Sequence, residues 1–420
     1  MPPVESMTMA QSSHRSVVVT GCGVISALGS GLDQHSAALR AEKLGFREID
    51  FFDVERQRVK TAGVVELLPE DEFLDSLDGK IHRGSYDRSA QMIYRAVHQA
   101  LSMAGLDSLD GVPVCVGTSA LAMPLGEAYY KQCVAEPWNR RGQLARVHGY
   151  QAQNQIGTIL RLFGNPSGLR IISNACASGA NAIGHGFHLI RSGLATRVVV
   201  GGYDALCQLV FCGFDALQAL SPSGIPRPFD AERDGLALGE GAGFLVLEDR
   251  EAAASRGAKC IAQLDAYAAA TDIHHLTQPH PMGETALSTM RAACAMAQVT
   301  ARDIDYINSH GTGTPLNDVA EANAIATWAG DVVGSRCVSS TKSATGHLLG
   351  GAGAVEAVIC LAALRDQFLP ASLNVRQIDP AVAFDLVQHV RSAKVERVLS
   401  NSFGFGGANA TVIFSRTATS

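Results

Sequence analysis

Two stretches of this chain, 174–184 (Asn-Ala-Cys-Ala-Ser-Gly-Ala-Asn-Ala-Ile-Gly) and 350–358 (Gly-Gly-Ala-Gly-Ala-Val-Glu-Ala-Val), consist almost wholly of small residues. A helix that is small on every side has no single apolar stripe to lay on a core. It belongs between packed layers, where only small side chains let neighbouring backbones approach. The first stretch follows the strand-like run Leu169-Arg-Ile-Ile-Ser, continues as a helix to about Arg191 and leads into Val198-Val-Val-Gly-Gly. The second follows Cys337-Val-Ser-Ser. Two strand-plus-small-helix units point to an internal duplication within a layered α/β body.

The rest of the chain fits that frame. At 420 residues, 47% hydrophobic and 18% charged, it can bury a large core or two core units. Its 42 glycines are one residue in ten, against an average of about 7%, so tight turns and close backbone approaches are expected. Val17-Val-Val-Thr-Gly-Cys-Gly-Val-Ile-Ser reads as a buried strand that ends in a turn at Gly-Cys-Gly. It is not a dinucleotide motif, because Ser26 stands where the third glycine would be. Tyr86–Leu106 has helical spacing and Val112–Val116 follows as a strand. After a loose tail at 1–16, the halves are expected at 17–252, carrying Cys176, and 253–420, carrying His310 and His347, in one compact body.

Several classes of function are disfavoured at once. Thirty-four basic against 40 acidic residues give a net charge of −6, which argues against a global attraction to nucleic acid or to anionic membranes. The ten cysteines are scattered and form no CxxC pair, as expected of reduced thiols in the cytoplasm. The first residues lack the apolar core of a secretory signal. The apolar run Gly350–Leu364 is shorter than the roughly 20 residues of a membrane span and contains Glu356. No HExxH occurs, and the His274-His275 pair has no partners at metal-ligand spacing, so no catalytic metal is expected.

Cys176 is the sharpest candidate for chemistry. It stands between a strand and a small-residue helix, where a helix N-terminus favours thiolate and offers free N–H groups to an oxyanion. A buried structural cysteine is the competing account. His310, in Asn308-Ser-His-Gly-Thr-Gly-Thr-Pro, follows the apolar run Ile304–Ile307 and suits proton or hydrogen-bond work, or is a hydrogen-bonded loop histidine. His347 closes Lys342-Ser-Ala-Thr-Gly-His before the second small-residue helix. Glu356 is the only charge in that apolar run and must be paired or protonated; Lys342 is its nearest obvious partner in sequence. Asn401-Ser-Phe-Gly-Phe-Gly-Gly-Ala-Asn is a glycine-rich loop between strands without the ending of a P-loop. One cysteine facing two histidines suits the formation of an acyl thioester on sulfur while a second carbonyl is polarised.

These motifs, taken in order with Arg227-Pro-Phe-Asp-Ala-Glu-Arg-Asp-Gly, resemble the elongating β-ketoacyl-[acyl carrier protein] synthases, ketosynthases of the thiolase superfamily. The resemblance runs from about Val17 to the last strand. It implies a thiolase-like α/β fold of five layers, αβαβα, built from two similar halves. It implies that Cys176 carries the acyl chain, that His310 and His347 serve the malonyl thioester, and that Lys342 supports them in a buried pair with Glu356. Phe405 would gate the site and share the oxyanion hole with Cys176. Thr312 and Thr314 would touch the phosphopantetheine arm, and Phe214 and Ala120 the acyl chain. No bound cofactor is implied, since substrates ride on the phosphopantetheine of acyl carrier protein. The implied partners are that carrier and a second subunit, either a copy of this chain or a ketosynthase-like chain-length subunit; a non-catalytic chain-length subunit is the alternative identity.

Some features depart from the housekeeping fatty-acid enzymes. The segment Ala219-Leu-Ser-Pro-Ser-Gly-Ile-Pro-Arg-Pro-Phe-Asp is short, as in type II polyketide and aryl polyene synthases. Gln218 stands where the family tends to place a basic residue for its carrier protein, and only Lys80, Arg83 and Arg88 form the neighbouring basic cluster.

Overall fold

The computed structural model describes residues 15–77, 80–81, 86–139, 141 and 143–417. The expected tail at 1–16, apart from its last two residues, and Arg83 lie outside the described residues.

Ten strands carry the architecture: β1 Val17–Ser26, β2 Pro113–Gly117, β3 Gly168–Ile172, β4 Arg197–Asp204, β5 Gly241–Asp249, β6 Ala262–Thr271, β7 Tyr306–Asn308, β8 Cys337–Ser339, β9 Arg397–Phe403 and β10 Ala408–Ser415. With the short strands Gly29–Ser30 and Asp385–Leu386 they make a 12-stranded sheet. Along it, the ten run β8-β7-β9-β10-β6-β1-β5-β4-β2-β3. Counted in chain order within each half, both halves read 3-2-4-5-1, with the first three strands parallel and the last two antiparallel. Only Val17–Val19 of β1 and Ala262–Leu264 of β6 join them. The duplication expected from the two small-residue helices is therefore a duplication of topology.

The principal helices are α1 Arg88–Ala104, α2 Ser178–Arg191, α3 Gln208–Ala216, α4 Glu284–Ala297, α5 Pro315–Ala329 and α6 Ala352–Asp366. Strand residues alternate between two buried faces, as the two-residue period requires. Val199 and Val246 meet Ile93, Ala96 and Val97 of α1 on the outer side. Val198, Val200 and Leu247 meet α2 and α6 on the inner side, together with Val412 and Phe414 of the other half. Ile413, Leu399 and Ile307 then face Met290 of α4 and Ile325 of α5. The result is five layers with α2 and α6 enclosed in the middle. A Cβ on Gly179 would come within 2.9 Å of the Ala354 nitrogen, and one on Gly353 within 2.9 Å of the Ala180 nitrogen. That reciprocal contact is why the enclosed helices are built from small residues.

One expectation needs correction. The chain does not turn at Gly21-Cys22-Gly23; β1 runs unbroken through it. A Cβ at Gly21 or Gly23 would lie 2.1 Å from the Ala100 oxygen or 2.0 Å from the Ala96 oxygen. These glycines let α1 rest on the strand and do not bend it. The expected division at 252/253 falls inside the short helix Arg250–Ser255, capped by Asp249 through the N–H groups of Glu251 and Ala252.

Candidate active site

Cys176 occupies the turn from β3 into α2, and the turn is strained: Ala175, just before it, holds φ 54° without being glycine. The Ala175 carbonyl accepts from the hydroxyls of Ser178 (2.6 Å) and Ser119 (2.8 Å) and from the Ser178 N–H (3.1 Å). The Cys176 thiol is buried and hydrogen-bonded to the backbone of Phe405. Gly404 packs on the same turn, its virtual Cβ 3.0 Å from the Cys176 nitrogen. Burial pushes the thiol up to about 12, against the pull of Lys342. Desolvation is the largest influence on the thiol, and the resting nucleophile is a neutral thiol. Its alkylation by iodoacetamide, followed by peptide mass mapping, is expected to climb about tenfold per unit from about pH 7 to about pH 10; a plateau near neutrality would show a standing thiolate instead.

His310 follows β7 in a loop whose backbone is held by two carboxylates one turn apart on α5. The N–H groups of His310 and Gly311 donate to Glu321, each at 2.8 Å, and those of Thr312 and Gly313 to Asp318. Asn401 of β9 also donates to Glu321 (3.2 Å) and accepts from Thr411 of β10 (2.9 Å). Burial raises the Glu321 carboxyl to about 7, with these donors opposing. His347 is fixed through its backbone, its N–H donating to Ala237 (2.7 Å) and its carbonyl accepting from Gly239 (3.0 Å).

The two rings meet edge to face, centroids 5.3 Å apart at 85°, and Phe403 lies 5.5 Å from His310. Burial first and Lys342 second hold both histidines well below the usual imidazole range, so both are neutral. Nδ1 of each is buried without a hydrogen-bond partner among the described residues. That leaves the other ring nitrogen of each to meet a ligand. Behind them Lys342 and Glu356, both almost fully buried, form an ion pair. Burial raises the Glu356 carboxyl and Lys342 opposes it.

A cavity of about 440 Å³ brings Cys176, His310 and His347 together, with Thr312, Thr314, Phe214 and Phe405 on its wall. The hydroxyls of Thr312 and Thr314 are 2.9 Å apart. The rings of Phe214, on α3, and Phe405 stack at 6.1 Å and 15°. Ala120 is not on that wall; it is buried, with its N–H on Asp204 (2.9 Å). Arg88 is not a free surface cation either. Its guanidinium is spent on Glu240 and the Val65 carbonyl and lies 4.0 Å over the Phe51 ring. Lys80 is exposed, and Gln218 borders the cavity.

Other wall residues had no warning in the sequence. Asp272, His275, Leu276 and Thr277 belong to the loop after β6, which touches the glycine-rich loop through the Gly406 N–H to the Leu276 carbonyl (2.7 Å). Asp318 and Glu321 do carry a sequence signal: two carboxylates three apart at the start of an alanine-rich helix, eight and eleven residues after His310. Among the described residues no group of three or more His, Cys, Asp or Glu could hold a metal ion, and no helix is long and apolar enough to cross a membrane.

A duplicated topology with enclosed central helices, a cysteine in the turn that leads into one of them and two histidines in the same cavity is the plan of thiolase-like acyltransferases. The chain belongs to the β-ketoacyl synthase family: residues 14–253 match its N-terminal domain and 261–376 its C-terminal domain. It is 36% identical over 418 residues to 3-oxoacyl-[acyl-carrier-protein] synthase 2 of Vibrio cholerae, covering 96% of this chain and 100% of that protein. Identity to the enzyme of the same name from Rhizobium meliloti is 37% over 431 residues, covering 96% and 99%. Among solved structures, the ishigamide ketosynthase/chain length factor superposes with TM-score 0.89 at 32% identity, covering 96% of this chain and 100% of that one. The ketosynthase ApeO in complex with its chain length factor ApeC from Xenorhabdus doucetiae gives 0.79 at 27%, covering 98% and 100%.

Proposed function

We propose that the chain is a β-ketoacyl-[acyl carrier protein] synthase that extends an acyl chain by decarboxylative condensation with a malonyl thioester, in fatty acid or type II polyketide synthesis. The observation that carries this reading is the pair of neutral histidines facing Cys176 in one cavity. A neutral imidazole keeps one ring N–H that can donate a hydrogen bond to a thioester carbonyl.

In the first half-reaction the Cys176 sulfur attacks the acyl thioester on the carrier's phosphopantetheine. The N–H groups of Cys176 and Phe405 stabilise the oxyanion, and the thiol proton leaves with the carrier's sulfur. In the second, malonyl thioester loses CO2 while His310 and His347 hold the carbonyl oxygen on which negative charge accumulates. The enolate carbon bonds to the acyl carbonyl, the C–S bond to Cys176 breaks, and the sulfur takes a proton. Lys342 supplies a fixed positive charge beside the three groups and is itself balanced by Glu356. Thr312 and Thr314 contact the pantetheine arm in this reading, and Phe214 and Phe405 form the apolar gate; their shared position on the cavity wall supports it. The two halves, 17–252 and 253–420, then divide the labour, the first supplying the nucleophile and the second both histidines.

For the partner, among the described residues β3 ends the sheet and pairs on one side only, with β2. Large apolar side chains are exposed on the helices just before it, Tyr130 (69%) and Val134 (63%) on Met123–Ala135 and Leu144 (82%) on Gln143–Tyr150. An open strand edge, together with such exposed side chains, fits a second ketosynthase-like subunit, either another copy of this chain or a chain-length relative. The acyl carrier protein is the second partner, bringing both substrates, and the cytoplasm is the compartment in which it is met.

Intact-mass analysis of the wild type and of Cys176→Ala, mixed with a panel of acyl carrier proteins and then with malonyl carrier protein, tests the function. Acylation of the wild type alone, followed by extension and CO2 release, is the expected result. The best-loaded chain separates lipid from polyketide synthesis. No transfer to Cys176, alone or with a chain-length subunit added, would overturn the reading and favour a non-catalytic subunit.

A further inference from the structure

One fully buried carboxylate lies outside the cavity lining. Asp204, at the end of β4, is fully buried and accepts from the Thr118 hydroxyl (2.6 Å) and from the N–H groups of Ser119 (3.0 Å), Ala120 (2.9 Å) and Gly350 (2.6 Å). These donors lie on two segments far apart in sequence, the turn after β2 and the turn before α6. Each is immediately joined to backbone that only a strong constraint would hold. Leu121 (φ 55°) donates its N–H to the Thr118 hydroxyl oxygen at 3.2 Å. Leu349 (φ 51°) directly precedes Gly350 and is two residues after His347. Ala175 (φ 54°) directly precedes Cys176 and receives the Ser119 hydroxyl on its carbonyl.

A non-glycine residue at positive φ costs about 1–3 kcal/mol and persists only where its surroundings over-determine it. Here three such residues converge on one carboxylate, one beside the nucleophile and one beside a cavity histidine. We propose that Asp204 is the positioning residue that registers the Cys176 turn against the His347 turn. It acts through Ser119 on one side and Gly350 on the other, and does not touch substrate. The proposal rests on the ketosynthase reading for its catalytic consequence but not for its geometric one.

Asp204→Asn keeps the shape but turns an amide NH2 towards N–H donors, so at least one of the four loses its acceptor. A displacement of the order of 1 Å at reacting groups can cost about 100-fold. Asp204→Asn is therefore expected to lower both the alkylation rate of Cys176 and kcat for condensation by roughly 10- to 100-fold, with KM for acyl carrier protein little changed. Ser119→Ala removes one of three donors to Ala175 and should slow Cys176 alkylation roughly three- to tenfold, while malonyl decarboxylation stays at the wild-type rate. That split between half-reactions is not what general loss of stability would produce. If Asp204→Asn does not fold, Ser119→Ala still decides, because wild-type alkylation in it would overturn the proposal. A folded Asp204→Asn with wild-type alkylation and kcat would overturn it too. Failure of the wild type to take any acyl group would count against the ketosynthase reading alone, since alkylation reads the geometry without it.

Discussion

Alanine in place of His310 or His347 is expected to lower decarboxylation of malonyl carrier protein by about 10²–10³-fold each, the loss found when one donor to a developing oxyanion is removed. Loading of the acyl chain onto Cys176 should continue in both variants, because the oxyanion of that step falls to backbone N–H groups. The two effects should not add. The rings stand edge to face over one cavity, and groups acting on a single oxygen lose most of their value when either is removed. Stopped-flow release of CO2 and intact-mass detection of the acyl-enzyme check the two steps separately. Loss of acyl loading in His347→Ala with decarboxylation intact would reverse the assignment. His310 carries a second expectation: its loop is held by Glu321 and Asp318 through backbone N–H groups alone. Removing the imidazole therefore leaves the loop anchored, and the variant should melt close to the wild type.

The contrast between what the sequence disclosed and what it hid follows from the kind of interaction involved. Cys176, His310 and His347 were legible because each stands in the connection that follows a short strand, and the topology carries all three to one cavity. The Lys342–Glu356 pair was legible because a charge inside an apolar helix must be compensated. The duplication was legible because small residues on all faces of a helix require neighbours on all faces. The turn expected at Gly21-Cys22-Gly23 failed because glycine in a strand marks either a bend or a close approach, and only the position of α1 says which. Asp204 was hidden for a related reason. Its four donors come from residues 118–120 and 350, and backbone donors have no sequence signature. Ala120 illustrates the same limit from the other side, since position in a motif did not say whether its methyl group faces the cavity or the core.

Lys342→Ala is expected to be the most destabilising of the single substitutions at the site. It leaves the Glu356 carboxylate almost fully buried without its counter-charge, a change that costs about 3–5 kcal/mol where one partner of a buried pair is removed. Among the described residues one Glu356 carboxyl oxygen already has no hydrogen-bond partner. The paired replacement Lys342→Met with Glu356→Leu removes both charges at similar volume, and stability should return to within about 2 kcal/mol of the wild type. Activity should not return. Lys342 opposes the burial that keeps the Cys176 thiol protonated, and it helps to hold His310 and His347 below their usual range. Without it the thiol rises further and both imidazoles move up. The acid limb of malonyl decarboxylation, which needs neutral rings, should therefore shift to higher pH in the double variant. Thermal melts of the two variants and the pH profile of CO2 release measure these effects. A double variant that melts like Lys342→Ala would mean that the side chains matter for shape and not for charge. An unmoved acid limb would mean that burial alone keeps the histidines neutral, and that Lys342 serves only to balance Glu356.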